Sequence, residues 1–253
     1  MGQPVGLVND VGLDDTGVTP EFLAEIAGYI FSPQRRDGLH LLIDVGAGTV
    51  GIASFNIYTK KADDVFAVFA SSVDMLATHQ LMKERLAAVR RSEARWDDSD
   101  AVPTAGALAQ QLGVSGAEID SADERITEAV AKKICDVLRP VKETHWHNAE
   151  AWKVRIPTFL VGGGSACDVY RAAVSVAAKR MKVSLPLVVS DYVAQSIRGY
   201  SLDRAAKTRL AVAYGLTLDT ANCGQIVLPP DNPPYTPRPG RRHMPDRDEL
   251  YPK

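Results

Sequence analysis

Cysteine is nearly absent. Cys135, Cys167 and Cys223 are widely spaced, with no C-x-x-C pair. That spacing excludes a disulfide framework and a cysteine zinc site, and leaves reduced, buried thiols. His145 and His147 flank Trp146, but no cysteine or acidic cluster stands beside them to complete a coordination sphere. No apolar run approaches the length of a membrane span. The opening MGQPVGLVNDVGLDD lacks the basic start and apolar core of a secretory signal. Both absences make the cytoplasm the expected compartment. Excess positive charge is missing too: the formal net charge is -2, so no nucleic-acid partner is expected. No G-x-x-x-x-G-K-[ST] occurs, which excludes a P-loop.

What remains is an ordinary soluble composition, 45% hydrophobic and 24% charged. That suffices for one large domain or two small ones with a buried core. After a loose Gly- and Asp-containing lead-in, EFLAEIAGYIF places Phe22, Ile26 and Ile30 at helical spacing. LHLLIDV then suits a buried strand. IASFNIY alternates, and VFAVFAS follows a turn at Lys60-Lys61, so three strands should form an antiparallel meander. From about Ser72 the period turns helical, with Leu76, Met82, Leu86 and Val89 on one stripe.

Further on, Ser121 and Glu124 read as a capping box. Behind it Ile126, Val130, Ile134, Val137 and Leu138 make an apolar stripe, with Glu128 and Lys132 spaced to pair. Strand character returns at IPTFLV, followed by Gly162-Gly163-Gly164-Ser165 and an Ala-rich helix to about Met181. SLPLVVS reads as a strand and AAKTRLAVAYGL as a helix. From Pro229 the last 25 residues hold eight prolines, which predicts an extended tail.

Two segments carry chemistry: Asp44-Val45-Gly46-Ala47-Gly48-Thr49 and Gly162-Gly163-Gly164-Ser165. Each follows an apolar strand, and glycines there let backbone N–H groups approach an anion. A carboxylate beside such a nest would repel phosphate unless a cation lay between, so Asp44 implies a hydrated Mg²⁺. The second loop is expected to open a helix whose dipole favours a phosphate or ribose. Gly46, Gly48 and Gly51 also spell G-x-G-x-x-G, the dinucleotide fingerprint. That fingerprint needs a helix to start inside the motif, whereas TVGIASFNIY alternates as a strand. Structural roles are the alternatives: Asp44 capping a hairpin turn, the triple glycine a packing turn, Tyr214 a core residue. Cys167, near the start of the Ala-rich helix, is either a thiol with a pKa lowered by the dipole or a small buried residue.

LLIDVGAGTVGIASFNIY resembles the second phosphate loop of the actin, heat-shock-chaperone and sugar-kinase ATPases, and PTFLVGGGSACDVYRAAV resembles their adenosine loop and its helix. AVAYGL, residues 211–216, is similar to the connecting helix that follows in the chaperone branch, and EFLAEIAGYI to the helix preceding the second phosphate loop. The order and the gap of about a hundred residues agree across residues 21–216.

The resemblance implies an α/β, ribonuclease-H-like ATPase lobe: a mixed sheet with an antiparallel three-strand meander and an inserted, mostly helical subdomain. It is closest to the chaperone-like or bacterial actin-like branch and matches the C-terminal, second lobe. It implies 1–37 as lead-in and residual helix of the other lobe, 38–80 and 151–228 as the nucleotide-binding subdomain, 81–150 as the helical insertion, and 229–253 as the Pro-rich tail. It implies ATP or ADP with Mg²⁺ as ligand, and Asp44 as the catalytic and metal-organising carboxylate. Gly46, Ala47, Gly48 and Thr49 would line the phosphates, and Gly162, Gly163, Gly164 and Ser165 the adenosine side. Tyr214 and Gly215 would lie in the hinge helix.

The chain departs from the family in one respect. Only 43 residues precede Asp44, and none carries the first phosphate loop. The expectation is therefore either a fragment of a longer two-lobed ATPase or half of one, completed by a partner protein or a second copy. The rival is an interaction or assembly module without hydrolysis.

Overall fold

A computed structural model describes residues 21–60, 63–91, 96, 101–145, 150–188, 210, 213–218 and 224–228. It contains α1 (Glu21–Ile30), β1 (Gly38–Val45), β2 (Val50–Lys60), β3 (Asp63–Asp74), α2 (Thr78–Ala88), α3 (Ala105–Leu112), α4 (Gly116–Pro140), β4 (Thr158–Val161), α5 (Asp168–Met181) and β5 (Gln225–Val227). The five strands form one mixed sheet, ordered β4-β1-β2-β3-β5. β1, β2 and β3 are the expected antiparallel meander, while β4 joins β1, and β5 joins β3, in parallel. The fold class is thus the mixed α/β one that the strand pattern and the resemblance implied. Among the described residues no helix is long and apolar enough to cross a membrane.

Both faces of the sheet are covered, so β1 reads as a nearly unbroken apolar run. Leu39, Leu41, Ile43 and Val45 pack with Val50 and Ile52 against α4 and α5. On the other face Leu42, Phe55, Ile57, Phe66 and Phe159 pack against Ile26, Ala27, Tyr29 and Ile30 of α1. Leu210, Tyr214 and Leu218 border that second cluster. Gly215 meets α1 so closely that a β-carbon there would run into the carbonyl oxygen of Ala24.

His40 sits inside this second layer, 0% exposed and stacked between Phe55 and Phe159 at ring distances of 5.3 and 6.0 Å. Its Nδ1 lies 2.7 Å from the Gly38 carbonyl and must donate to it. Nε2 therefore accepts from the Tyr29 hydroxyl at 3.2 Å, which in turn accepts from the Arg36 amide at 2.9 Å. Burial pushes the imidazole down to about 4 from its ordinary 6.5.

Between those values the unfolded chain binds a proton that the folded chain refuses, so stability falls as pH drops from 6.5 towards 4. The expected loss is about 3 kcal/mol. NMR titration should find the His40 imidazole still neutral at pH 5.5. A midpoint near 6.5 would contradict this reading.

Several local expectations are corrected. β3 continues to Asp74, and the next helix begins at Thr78 rather than near Ser72. α4 starts at Gly116, capped by Ser115, whose hydroxyl accepts from the Ala117 amide at 3.3 Å. Ser121 and Glu124 consequently lie inside the helix and form no capping box. The stripe from Ile126 to Leu138 is buried as read. Glu128, however, pairs with Arg180 of α5, and Lys132 pairs with Asp136. The helix-to-helix contact wins over the expected pair because α4 lies directly against α5. Among the described residues of SLPLVVS, Leu187 bridges Thr158 in parallel, and the Ile156 and Thr158 amides donate to the Ser184 and Pro186 carbonyls at 2.8 and 2.9 Å. That segment's last two residues, the tail from Pro229, His147 and Cys223 lie outside the described residues.

Candidate functional site

The first glycine loop is a tight hairpin between β1 and β2, closed by the Gly46 amide donating to the Thr49 carbonyl at 3.0 Å. Because β2 follows as a strand, no helix opens within G-x-G-x-x-G, and the dinucleotide fingerprint is not met. The second loop leaves the C-terminal end of β4. Asp44 faces Val161 in the parallel register, so both loops emerge at the same end of adjacent parallel strands. Ligands of open α/β sheets lodge at that end.

The two loops touch. Gly162 has φ +82, and a β-carbon on it would collide with the Asp44 carboxylate and lie 2.5 Å from the Val45 carbonyl oxygen. A β-carbon on Gly164 would lie 2.5 Å from Cγ1 of Val45 and 2.6 Å from Cγ2 of Thr78. By contrast, one on Gly48 or Gly163 would meet nothing within 4 Å. The inner glycines serve the close approach of two backbones, and the outer ones leave open space beside it. Ala47, Thr49 and Gly163 are exposed, Asp44, Gly46, Gly48 and Gly162 half-buried, and Gly164 and Ser165 buried.

The Gly-Gly-Gly-Ser segment differs from the expectation in one respect. Gly163–Ala166 make a short 3-10 turn, and α5 begins only at Asp168. The loop therefore presents its glycines one turn ahead of the helix. Cys167 also departs from the dipole reading: burial pushes its thiol above the usual range, with the Val169 amide and Arg85 opposing. It is a half-buried thiol packed against the edge of the core. Tyr170 behind it is fully buried and donates to the Leu76 carbonyl at 3.1 Å, which ties α5 to the segment before α2.

Sequence reasoning missed Thr78. It is 4% exposed and stands where the hairpin, the second glycine loop and α2 meet. No spacing rule marks a lone threonine, and only the overlap with Gly164 singles it out. Lys133 is held by Asp74 at 2.5 Å. Burial works to raise the Asp74 pKa, but hydrogen bonds from Lys133 and Ser72 outweigh it and hold the carboxyl below its ordinary value. A separate open groove of about 390 Å³, lined by Trp152, Lys153, Lys179 and Lys182 among others, lies at the opposite end of α5.

For a metal, the donor set is decisive. Among the described residues no three His, Cys, Asp or Glu side chains gather to hold an ion directly. One carboxylate beside open backbone fits Mg²⁺ that keeps most of its water, and fits no fully protein-ligated ion.

No protein-family model matches the chain, and no curated protein matches it. Solved structures do match. The PilM–PilN type IV pilus biogenesis complex gives a TM-score of 0.48 at 16% identity, over 79% of this chain and 51% of that one. MreB5 of Spiroplasma citri bound to ADP gives 0.47 at 13%, over 79% and 58%. The non-polymerisable quadruple mutant of pCBH ParM gives 0.45 at 18%, over 75% and 51%. These neighbours are actin-like ATPases of the bacterial branch. The likeness is one of fold, and the chain spans about half the length of the structures it matches.

Proposed function

We propose that this chain is the ATP- or ADP-binding lobe of an actin-like or heat-shock-chaperone-like ATPase, the other half of the clamp coming from elsewhere in a longer chain, from a partner protein or from a second copy. One observation carries the reading. Two glycine loops, from strands far apart in sequence, converge beside a single carboxylate, with Gly162 of one pressed on Asp44 of the other. Residues 38–80 and 151–228 hold the nucleotide in this reading, and 81–150 are the helical insertion, whose α4 packs on the sheet. Gly46, Ala47, Gly48 and Thr49 face the phosphates, and Gly162, Gly163, Gly164 and Ser165 the nucleoside side. Asp44 holds the water shell of Mg²⁺, which when bound neutralises phosphate charge.

Phosphoryl transfer rests on positioning and charge stabilisation from every side. The lobe alone is therefore expected to bind nucleotide and hydrolyse it poorly. A non-hydrolysing interaction or assembly module built on the same lobe is the second reading.

Calorimetry with ADP and ATP, with and without Mg²⁺, tests both. Mg²⁺-dependent binding should weaken about tenfold or more in Asp44→Ala, since a hydrogen bond to a charged group contributes about 1.5–3 kcal/mol. No heat at millimolar nucleotide would remove the nucleotide reading and leave the assembly module.

A further inference from the structure

We propose that the first turn of α2 is a positioning device for the hairpin loop. In this view Thr78 and the His79 amide turn two successive peptides so that the Ala47 and Gly48 amides face outward as an anion nest. The inference rests on the nucleotide reading above and identifies what shapes its phosphate end. The His79 amide donates to the Ala47 carbonyl at 2.9 Å. The Thr78 hydroxyl is shared between the Gly46 and Ala47 carbonyls, at 3.4 Å to each. Both carbonyls thus point at α2.

In a trans peptide the N–H points opposite to the C=O it shares a plane with. Fixing the Gly46 carbonyl towards α2 therefore directs the Ala47 amide away from it, and fixing the Ala47 carbonyl does the same to the Gly48 amide. Two consecutive amides on one side are the geometry that backbone nests use for anions. Neither amide has a backbone acceptor among the described residues, and Ala47 is exposed at the loop tip.

Thr78 also touches the second loop: a β-carbon on Gly164 would lie 2.6 Å from its methyl carbon, beside Val45 Cγ1 at 2.5 Å. One buried side chain thereby borders both loops, and its hydroxyl sets the facing of one of them. Behind it, Arg85 on the same helix anchors α2 to Asp123 of α4, so the device stands on a fixed base. Thr78 acts through the backbone of Gly46 and Ala47, which makes it a positioning residue.

The test compares Thr78→Val, which keeps the branched shape and loses the hydroxyl, with Thr78→Ser, which keeps the hydroxyl. Two readouts are needed: backbone amide NMR of Ala47 and Gly48, and calorimetry with Mg²⁺–ADP and with inorganic pyrophosphate. In the wild type and Thr78→Ser, both ligands should shift the Ala47 and Gly48 amides. Thr78→Val should move those same amides before any ligand is added and bind both ligands about fivefold more weakly, the loss expected of one neutral hydrogen bond. Its Tm should stay close to that of the wild type.

If pyrophosphate shifts the two amides and Mg²⁺–ADP does not, the positioning device stands and the nucleotide reading falls. Unchanged affinity in Thr78→Val, or Ala47 and Gly48 amides that respond to neither ligand, would overturn the proposal.

Discussion

Gly162→Ala is expected to destabilise the protein by about 3 kcal/mol or more and to abolish the proposed nucleotide binding. Gly163→Ala, one residue on, should leave the stability nearly unchanged. The difference lies in backbone angle and space. Gly162 has φ +82, where an L side chain costs about 1–2 kcal/mol. The added carbon would also strike the Asp44 carboxylate and the Val45 main chain. Overpacking of this kind adds about 1–3 kcal/mol, and here the obstacle is backbone that cannot rotate aside. Relief would come only by parting β4 from β1, which separates the two loops. Gly163 has no positive φ and nothing within 4 Å of its would-be β-carbon. Urea unfolding of the two variants, with ADP calorimetry on each, checks the pair. Equal stabilities would mean that the loops do not touch in solution as described.

Arg85→Met should cost about 3 kcal/mol, and the double replacement with Asp123→Leu should recover much of that loss. Arg85 is 2% exposed and lies among the largest fully buried side chains. Its Nε and Nη2 donate to the two Asp123 oxygens at 2.6 and 2.7 Å, and Nη1 donates to the Pro103 carbonyl at 2.7 Å. Removing the cation alone leaves a carboxylate with little water and an orphaned carbonyl, a loss of about 3–5 kcal/mol for buried pairs. Asp123 retains some exposure, which places the effect at the lower end. Removing both charges takes away the uncompensated group as well as the attraction. A thermal unfolding cycle over the four proteins measures the coupling. If the double variant is as unstable as Arg85→Met, packing around Arg85 matters more than its charge.

The meander was legible because its signals are local: β1 is a continuous apolar run, β2 alternates, and the turns carry glycine and lysine. The stripe of α4 was legible for the same reason, since a period of 3.6 over four turns leaves little choice. The start of α4 was not. Ser115 and Ser121 are both serines ahead of apolar positions, and only α3, ending at the left-handed Gly113, decides which one caps. The burial of His40 could not be read either, because its stacking partners Phe55 and Phe159 come from two other strands. For the candidate site, the sequence pointed to both glycine loops and to Asp44. It contained nothing to say that Gly162 would rest on Asp44, which depends on the parallel register of β1 and β4. Thr78 stayed hidden because its contacts, Gly46, Ala47 and Gly164, reach across about 30 and 85 residues.

The parallel pairing of β1 with β4 also orders events in time. β1, β2 and β3 close through short hairpins, which form in microseconds. β4 must return from a point 117 residues beyond Asp44 to lie beside it. Closing so long a loop is entropically unfavourable, and such non-local pairings slow folding. A chain that has completed its meander therefore holds the first glycine loop well before the second arrives. A ligand bridging both would meet its full binding surface only in the finished molecule, and by gripping both it would retard the step in which β4 peels away. Nucleotide would then show itself first as a slower unfolding rate.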